Sequence, residues 1–160
     1  EAPHLPKGLA SSPFDDDGVA TRARCVVDAG VVQGYFLSAY TARKLGMQTT
    51  GNAGGSHNLL LRAGPGDLDF AGMLRTMNTG LLVTELLGHG INYLTGDYSR
   101  GAAGFWVEGG EIRYPVQEIT IAGNLRDMFM GVAAIGNDVV VRGSKQAGSI
   151  LVGEMTIAGN

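Results

Sequence analysis

The stretch LTGDYSRGAAGFW, residues 94–106, contains the chain's most suggestive nucleophile, Ser99, set among glycines beside Asp97 and Arg100. A nucleophilic serine of the G-x-S-x-G type sits on a sharp turn from strand into helix, with a glycine two residues before it. Here Asp97 occupies that position, and Gly101-Ala102-Ala103-Gly104 leads into a hairpin pattern, not a helix. The usual order of such a triad is serine, acid, histidine. All three histidines, His4, His57 and His89, precede Ser99. The residues therefore argue against serine hydrolysis, and small residues that let backbones approach closely explain the stretch, with Asp97 and Arg100 hydrogen-bonding locally or pairing.

Metal chemistry needs ligands on one face, as two histidines one helical turn apart with a nearby carboxylate provide. The three histidines are far apart and none has that partner, so only convergence in the fold could gather them. Asp15-Asp16-Asp17-Gly18 opens like a calcium loop but lacks the alternating ligands and closing glutamate, and reads as a solvated acidic turn. No Gly-Lys-Ser/Thr occurs, and Gly88-His89-Gly90 meets Tyr93 where a dinucleotide fingerprint needs its third glycine. Gly51-Asn52-Ala53-Gly54-Gly55 has the composition of an anion-binding nest, and a plain surface loop explains it equally well. Met128-Phe129-Met130 reads as core.

The elements that would position these groups are short. The chain has 160 residues with 26 glycines, well above the usual ~7%, and the glycines fall between brief apolar runs as in a turn-rich β protein. Val26-Val27 and Val31-Val32 around Asp28-Ala29-Gly30 predict a hairpin, after a polar, extended lead-in and loop over residues 1–24. Ser38 caps a helix over Ala39 to Leu45, ended by Gly46. Residues 47–67 are loop around Leu59 to Leu61, and Leu81 to Leu87 favours strand. Gly109-Gly110 turns a hairpin over residues 104–116, and Asn124 caps a helix over residues 124–134. Val139 to Val141 and Ile150 to Val152 are further strands, and Glu118 to Asn124 is echoed by Glu154 to Asn160. The sum is an α+β fold, mostly antiparallel β with about two short helices.

Composition narrows the function. A net charge of −3 gives no basic field for nucleic acid, and no apolar run reaches transmembrane length. The single Cys25 forms no intrachain disulfide and suits a reducing cytoplasm. The chain opens Glu1-Ala2-Pro3, without an initiator methionine or a secretory signal, so a fragment of something longer is expected. Open sheet edges in such a protein can accept an extended peptide or another subunit.

Several ordered blocks resemble the TldD/PmbA family, in its PmbA (TldE) branch. They are Pro13 to Thr21, Leu45-Gly46-Met47 with Thr50-Gly51-Asn52, Thr84 to Asn92, Leu94 to Trp106, Ala134 to Asp138, and Glu154 to Asn160. The resemblance spans nearly the whole of residues 1–160 and implies the C-terminal part of that family's C-terminal domain, with an N-terminal domain and an upstream segment outside the chain. It implies a cytoplasmic, heterodimeric TldD/TldE metalloprotease acting on small or unfolded peptides, including leader removal from modified microcins and antitoxin breakdown. The older family label is modulator of DNA gyrase.

In the family the zinc-bearing TldD type carries H-E-x-x-x-H and a late cysteine. This chain has neither: Gly143 to Gly148 contains no cysteine, and Cys25 lies far upstream. Both departures imply the non-catalytic TldE-like partner, with no cofactor of its own and zinc in a TldD-type subunit. Gly51, Asn52, Asp97, Ser99 and Arg100 are the candidates for touching a peptide or for holding loop shape. The alternatives are a self-sufficient homodimeric peptidase with its zinc motif upstream, and a protein that binds gyrase directly.

Overall fold

The computed structural model describes residues 1–62 and 68–159. Residues 63–67 and 160, at the end of the expected 47–67 loop and of the second echo, lie outside the described residues. The chain divides into two compact units.

The first unit comprises Glu1–Arg62 and Val139–Gly148. It contains the hairpin β1 (Val27–Asp28) and β2 (Val31–Val32), helix α1 (Ala39–Lys44), and a small sheet of β3 (Leu59–Leu60), β8 (Val140–Arg142) and β9 (Lys145–Ala147). The hairpin turns where the sequence places it, because Ala29 and Gly30 take φ of 47° and 80°. Helix α1 starts on a reciprocal cap: Ser38 Oγ accepts from Thr41 N, and Thr41 Oγ1 accepts from Ser38 N. Gly46, at φ 64°, follows its end. Among the described residues the one parallel pairing, β3 with β9, sits beside the antiparallel β8–β9 pair.

Residues 1–24 differ from the expected lead-in. They fold back as successive turns, with Pro3 fully buried and Asp15 and Thr21 buried. The acidic run is likewise only partly solvated. Asp16 and Asp17 are exposed, but Asp15 is inside.

The second unit holds the described residues of Ala63–Asp138 and Ser149–Asn160. Its frame is a four-stranded antiparallel sheet in the order β11 (Thr156–Ala158), β6 (Glu111–Asn124), β5 (Asp97–Glu108), β4 (Gly80–Leu87). The β5–β6 hairpin is much longer than the expected 104–116 and closes on Gly109 and Gly110, at φ 64° and 75°. The two echo copies pair with each other: Thr156 faces Ala122, Ile157 faces Ile121 and Ala158 faces Thr120. Identical strands run antiparallel about the Ile121–Ile157 pair, which gives the sheet edge a local two-fold character.

Tyr98, Ala102, Ile119 and Ile121 form the buried cluster on one sheet face, with Leu81, Val83, Val116, Leu125, Met128 and Met155 packed against it. Helix α3 is Leu125–Met130, shorter than the expected 124–134. Gly131 caps it, and the β-branched Val132 opens strand β7 (Val132–Ile135), which pairs with β10 (Ile150–Val152). Met128 reaches the core as expected, but Phe129 and Met130 are 74% and 81% exposed.

A third helix, α2 (Phe70–Met77), adds to the two short helices that the sequence predicts. Its signals are local. Asp69 Oδ1 accepts from Gly72 N at 2.7 Å, and Asn78 leaves the helix at φ 59°.

Candidate functional site

Gly51 and Asn52 lie at the polar heart of the first unit. Gly51 takes φ 71°, and a Cβ there would stand 3.1 Å from Ala20 O, so the loop needs a glycine. Asn52 is 5% exposed and bonds in four directions. Its Oδ1 accepts from Thr50 Oγ1 at 2.8 Å and from Arg24 Nη2 at 3.1 Å. Its Nδ2 donates to Glu1 Oε1 at 2.8 Å and to Gly55 O at 3.1 Å.

The carboxylate of Glu1 is the hub of this network. It meets Arg24 Nε at 3.0 Å, and His57 N and Nδ1 at 2.9 and 3.1 Å. Burial pushes the Glu1 carboxyl up, but the His57 N–H, the Asn52 amide, Arg24 and the His57 ring outweigh it and hold it below the ordinary range. The guanidinium of Arg24 also stacks over Phe36, 5.0 Å from the ring centre. Every polar group in this cluster is answered within the protein, which is what a staple between distant loops requires.

Beside it opens a shallow cleft of about 210 Å³, with Ser12, Asp16, Gly54, Gly55, Ser56 and His57 among its lining residues. Of the 51–55 loop, one N–H meets an anion, and that anion is the protein's own. Ala53 N donates to Asp15 Oδ2 at 2.9 Å. A Cβ on Gly54 would lie 2.3 Å from Asp16 Oδ2, so that carboxylate rests directly against the glycine.

Asp97, Ser99 and Arg100 lie in the second unit on β5. Successive strand side chains alternate faces, so Asp97 and Ser99 project from one face and Arg100 from the other. Register confirms the alternation: Arg100 is opposite Ile121 and Ala102 opposite Ile119, both on the core face. Asp97 and Arg100 therefore do not pair, contrary to one expectation for this stretch. Asp97 Oδ2 accepts from Thr95 Oγ1 at 2.6 Å. Ser99 is exposed in mid-strand and its N–H donates to Gly90 O at 2.7 Å. A mid-strand serine with no histidine bonded to its hydroxyl has no activating base.

The metal-binding side chains are dispersed. His4 Nε2 is 3.0 Å from Thr21 Oγ1, His57 is committed to Glu1, and His89 lies exposed between β4 and β5. Cys25 is exposed before β1, its Sγ 3.1 Å from Val27 O. Among the described residues no three His, Cys, Asp or Glu side chains come together as a metal site, so a zinc ion finds no fitting ligand set in them. No helix among them is long and apolar enough to cross a membrane.

The reading from sequence missed Glu1, Asp15, Arg24 and His57 as members of the polar cluster. Their partners lie up to 56 residues away in sequence, so no local spacing marks them.

Comparison with known proteins places the whole chain. Residues 1–159 match the model for the PmbA/TldA metallopeptidase C-terminal domain. The chain is 57% identical to the Metalloprotease PmbA of Escherichia coli O157:H7 over 159 residues, covering 99% of this chain and 35% of that protein. It superimposes on a Thermotoga maritima protein described as a candidate modulator of a DNA gyrase with TM-score 0.88 at 41% identity, covering 98% of this chain and 37% of that one. TldE from Thermococcus kodakarensis shares the fold, with TM-score 0.81 at 24% identity, over 98% of this chain and 38% of that one. The chain thus spans about a third of the length of the proteins it matches.

Proposed function

The chain belongs to the PmbA/TldD metallopeptidase family, and from that premise we propose that its full-length protein is the TldE-type, non-catalytic subunit of a two-subunit metalloprotease. Its partner is a zinc-bearing TldD-type subunit, and the pair acts in the cytoplasm on small or unfolded peptides. Microcin leaders and an antitoxin are the substrates that the family resemblance suggests. This chain's share of the work is to shape the chamber in which a peptide is held, while the partner supplies the metal that polarises the scissile carbonyl.

The observation that carries this reading is that the potential ligands among the described residues do not converge on one site. His57 is bonded to Glu1 and His4 to Thr21, while His89 and Cys25 lie exposed in separate parts of the chain, Cys25 before β1. Where the resemblance would put a late cysteine, Gly143 to Gly148 provides the turn between β8 and β9 and the whole of β9.

The test is to measure bound zinc and peptide cleavage for the full-length protein alone and mixed with a TldD-type partner. Little zinc and no cleavage alone, with cleavage restored on mixing, is the expected result. Stoichiometric zinc and full activity without the partner would instead make it a self-sufficient peptidase. In the mixed assay Ser99→Ala is expected to leave the cleavage rate within about twofold. Loss of a true nucleophile costs on the order of a thousandfold or more, and a loss on that scale with partner binding intact would restore Ser99 as catalytic.

A further inference from the structure

Among the described residues, Arg100 is a positive charge without a counter-charge. Of the twelve lysines and arginines, all but Arg24 and Arg100 are exposed. Arg24 has the Glu1 carboxylate, Asn52 Oδ1 and the Phe36 ring. Among the described residues the Arg100 side chain makes one hydrogen bond, a long one, from Nη2 to Leu86 O at 3.3 Å. Its Nε is buried with no acceptor.

The surroundings make that deficit costly. Arg100 stands on the apolar face of the sheet, in the row Arg100–Ile121–Ile157, with Leu86 diagonally across on β4. The acidic positions close by on the same strands do not help. Asp97 projects from the other face, and so does Glu85, which is opposite Ala103. A guanidinium carries five N–H donors in a fixed fork that matches a carboxylate. In apolar surroundings an unanswered charge costs free energy, and an answered one binds more strongly than in water. The face is open at this end, where Leu86 and Ile157 are 40% and 46% exposed. Arg100 is itself only half-buried, so an incoming group approaches the guanidinium from this open end rather than at the buried Nε.

We infer that Arg100 is the receptor for a carboxylate of a bound peptide, either its C-terminus or an aspartate or glutamate side chain. This rests on the peptide-handling reading above and adds to it a preference for acidic or C-terminal carboxylates.

The probe is a short, alanine-rich, fluorescein-labelled peptide made in three forms: free C-terminal acid, C-terminal amide, and the amide with one internal glutamate. Its binding to the full-length protein is followed by fluorescence anisotropy. At least one carboxylate form is expected to bind about tenfold or more tightly than the plain amide, the scale of one charge-assisted hydrogen-bonded contact. Which form gains identifies the terminus or the side chain as the source. Arg100→Gln abolishes the gain and leaves plain-amide binding unchanged, and Arg100→Lys restores it only in part because the fork is lost.

Equal affinity of the wild-type protein for all three forms overturns the inference, and needs no variant. So does an Arg100→Gln protein that weakens all forms alike, or one that loses the partner subunit while keeping its peptide preference. Cleavage of the same peptides by the mixed subunits separates the two readings. Equal binding with intact cleavage overturns only the receptor, whereas no binding and no cleavage of any form overturns both.

Discussion

Gly104→Ala is expected to destabilise the protein by about 3 kcal/mol, the upper range for forcing atoms into a packed site, which for a chain of this size lowers the melting temperature by roughly 10 °C. The reason is the bulged join between β4 and β5, where the register shifts between Val83 and Glu85 and between Ala102 and Gly104. A Cβ on Gly104 would lie 1.9 Å from Leu82 O, 2.9 Å from Leu82 C and 3.0 Å from Val83 Cα. All three atoms are backbone, so no side chain can rotate away and the strand itself must move. Gly90 is in the same position, since its Cβ would fall 1.7 Å from Ser99 O, the carbonyl of the residue whose N–H Gly90 O accepts. Gly34→Ala is the control. It would meet only Arg24 Nη1 at 3.5 Å and should change stability by no more than about 0.5 kcal/mol. Thermal melting of Gly104→Ala, Gly90→Ala and Gly34→Ala decides the matter. A Gly104→Ala protein that melts within about 2 °C of its parent would show that the two strands are not held this closely.

That contrast also explains what could be read in the stretch around Ser99. Gly104 is there because the β4 backbone presses against it, Gly101 because the Leu87 side chain does, and Gly96 because its φ is 81°, and the sequence shows the small residues without showing what presses on them. Features whose chemistry is local were legible. The Ala29-Gly30 and Gly109-Gly110 turns need positive φ, and Ser38 and Asn124 offer side-chain oxygens to helix N–H groups a few residues away. Helix α3 was overextended because Val132 and its neighbours are apolar in either state. The partner that makes them a strand, β10, lies some twenty residues on. The polar staple was illegible for the same reason on a larger scale. Glu1 and His57, or Asp15 and Ala53, come together only once the first unit has folded.

Asp15 is the residue on which that unit's acid stability should turn. Its carboxylate is 5% exposed and accepts three backbone N–H bonds, from Asp17 at 3.0 Å, Val19 at 2.9 Å and Ala53 at 2.9 Å. The first two close the 15–19 turn, and the third ties that turn to the glycine loop. Burial pushes the carboxyl up, but the Ala53, Val19 and Asp17 N–H groups, with the His57 ring nearby, outweigh it and hold it below the ordinary range. Asp15→Ala removes the shared acceptor of three N–H groups at the edge of the cleft, and is expected to cost about 2 kcal/mol. Asp15→Asn keeps one oxygen but turns its NH2 donor toward a donor, so it should recover only part of the loss.

The sign of the pH dependence follows from the direction of the shift. The unfolded chain's Asp15 titrates in the ordinary carboxylate range, near pH ~4, and the folded one lower. Its stabilisation is therefore fully present above that range and is lost as the pH falls through it toward the folded value. Glu1 and Asp138 are lowered too, the latter because the Ser149 hydroxyl and N–H outweigh its burial. Acid sensitivity should therefore shrink in Asp15→Asn without disappearing. Urea unfolding of the parent and of Asp15→Asn between neutral and acid pH tests this. Parallel stability curves over the whole range would mean that the Asp15 carboxylate titrates alike in both states and that the clamp does not exist.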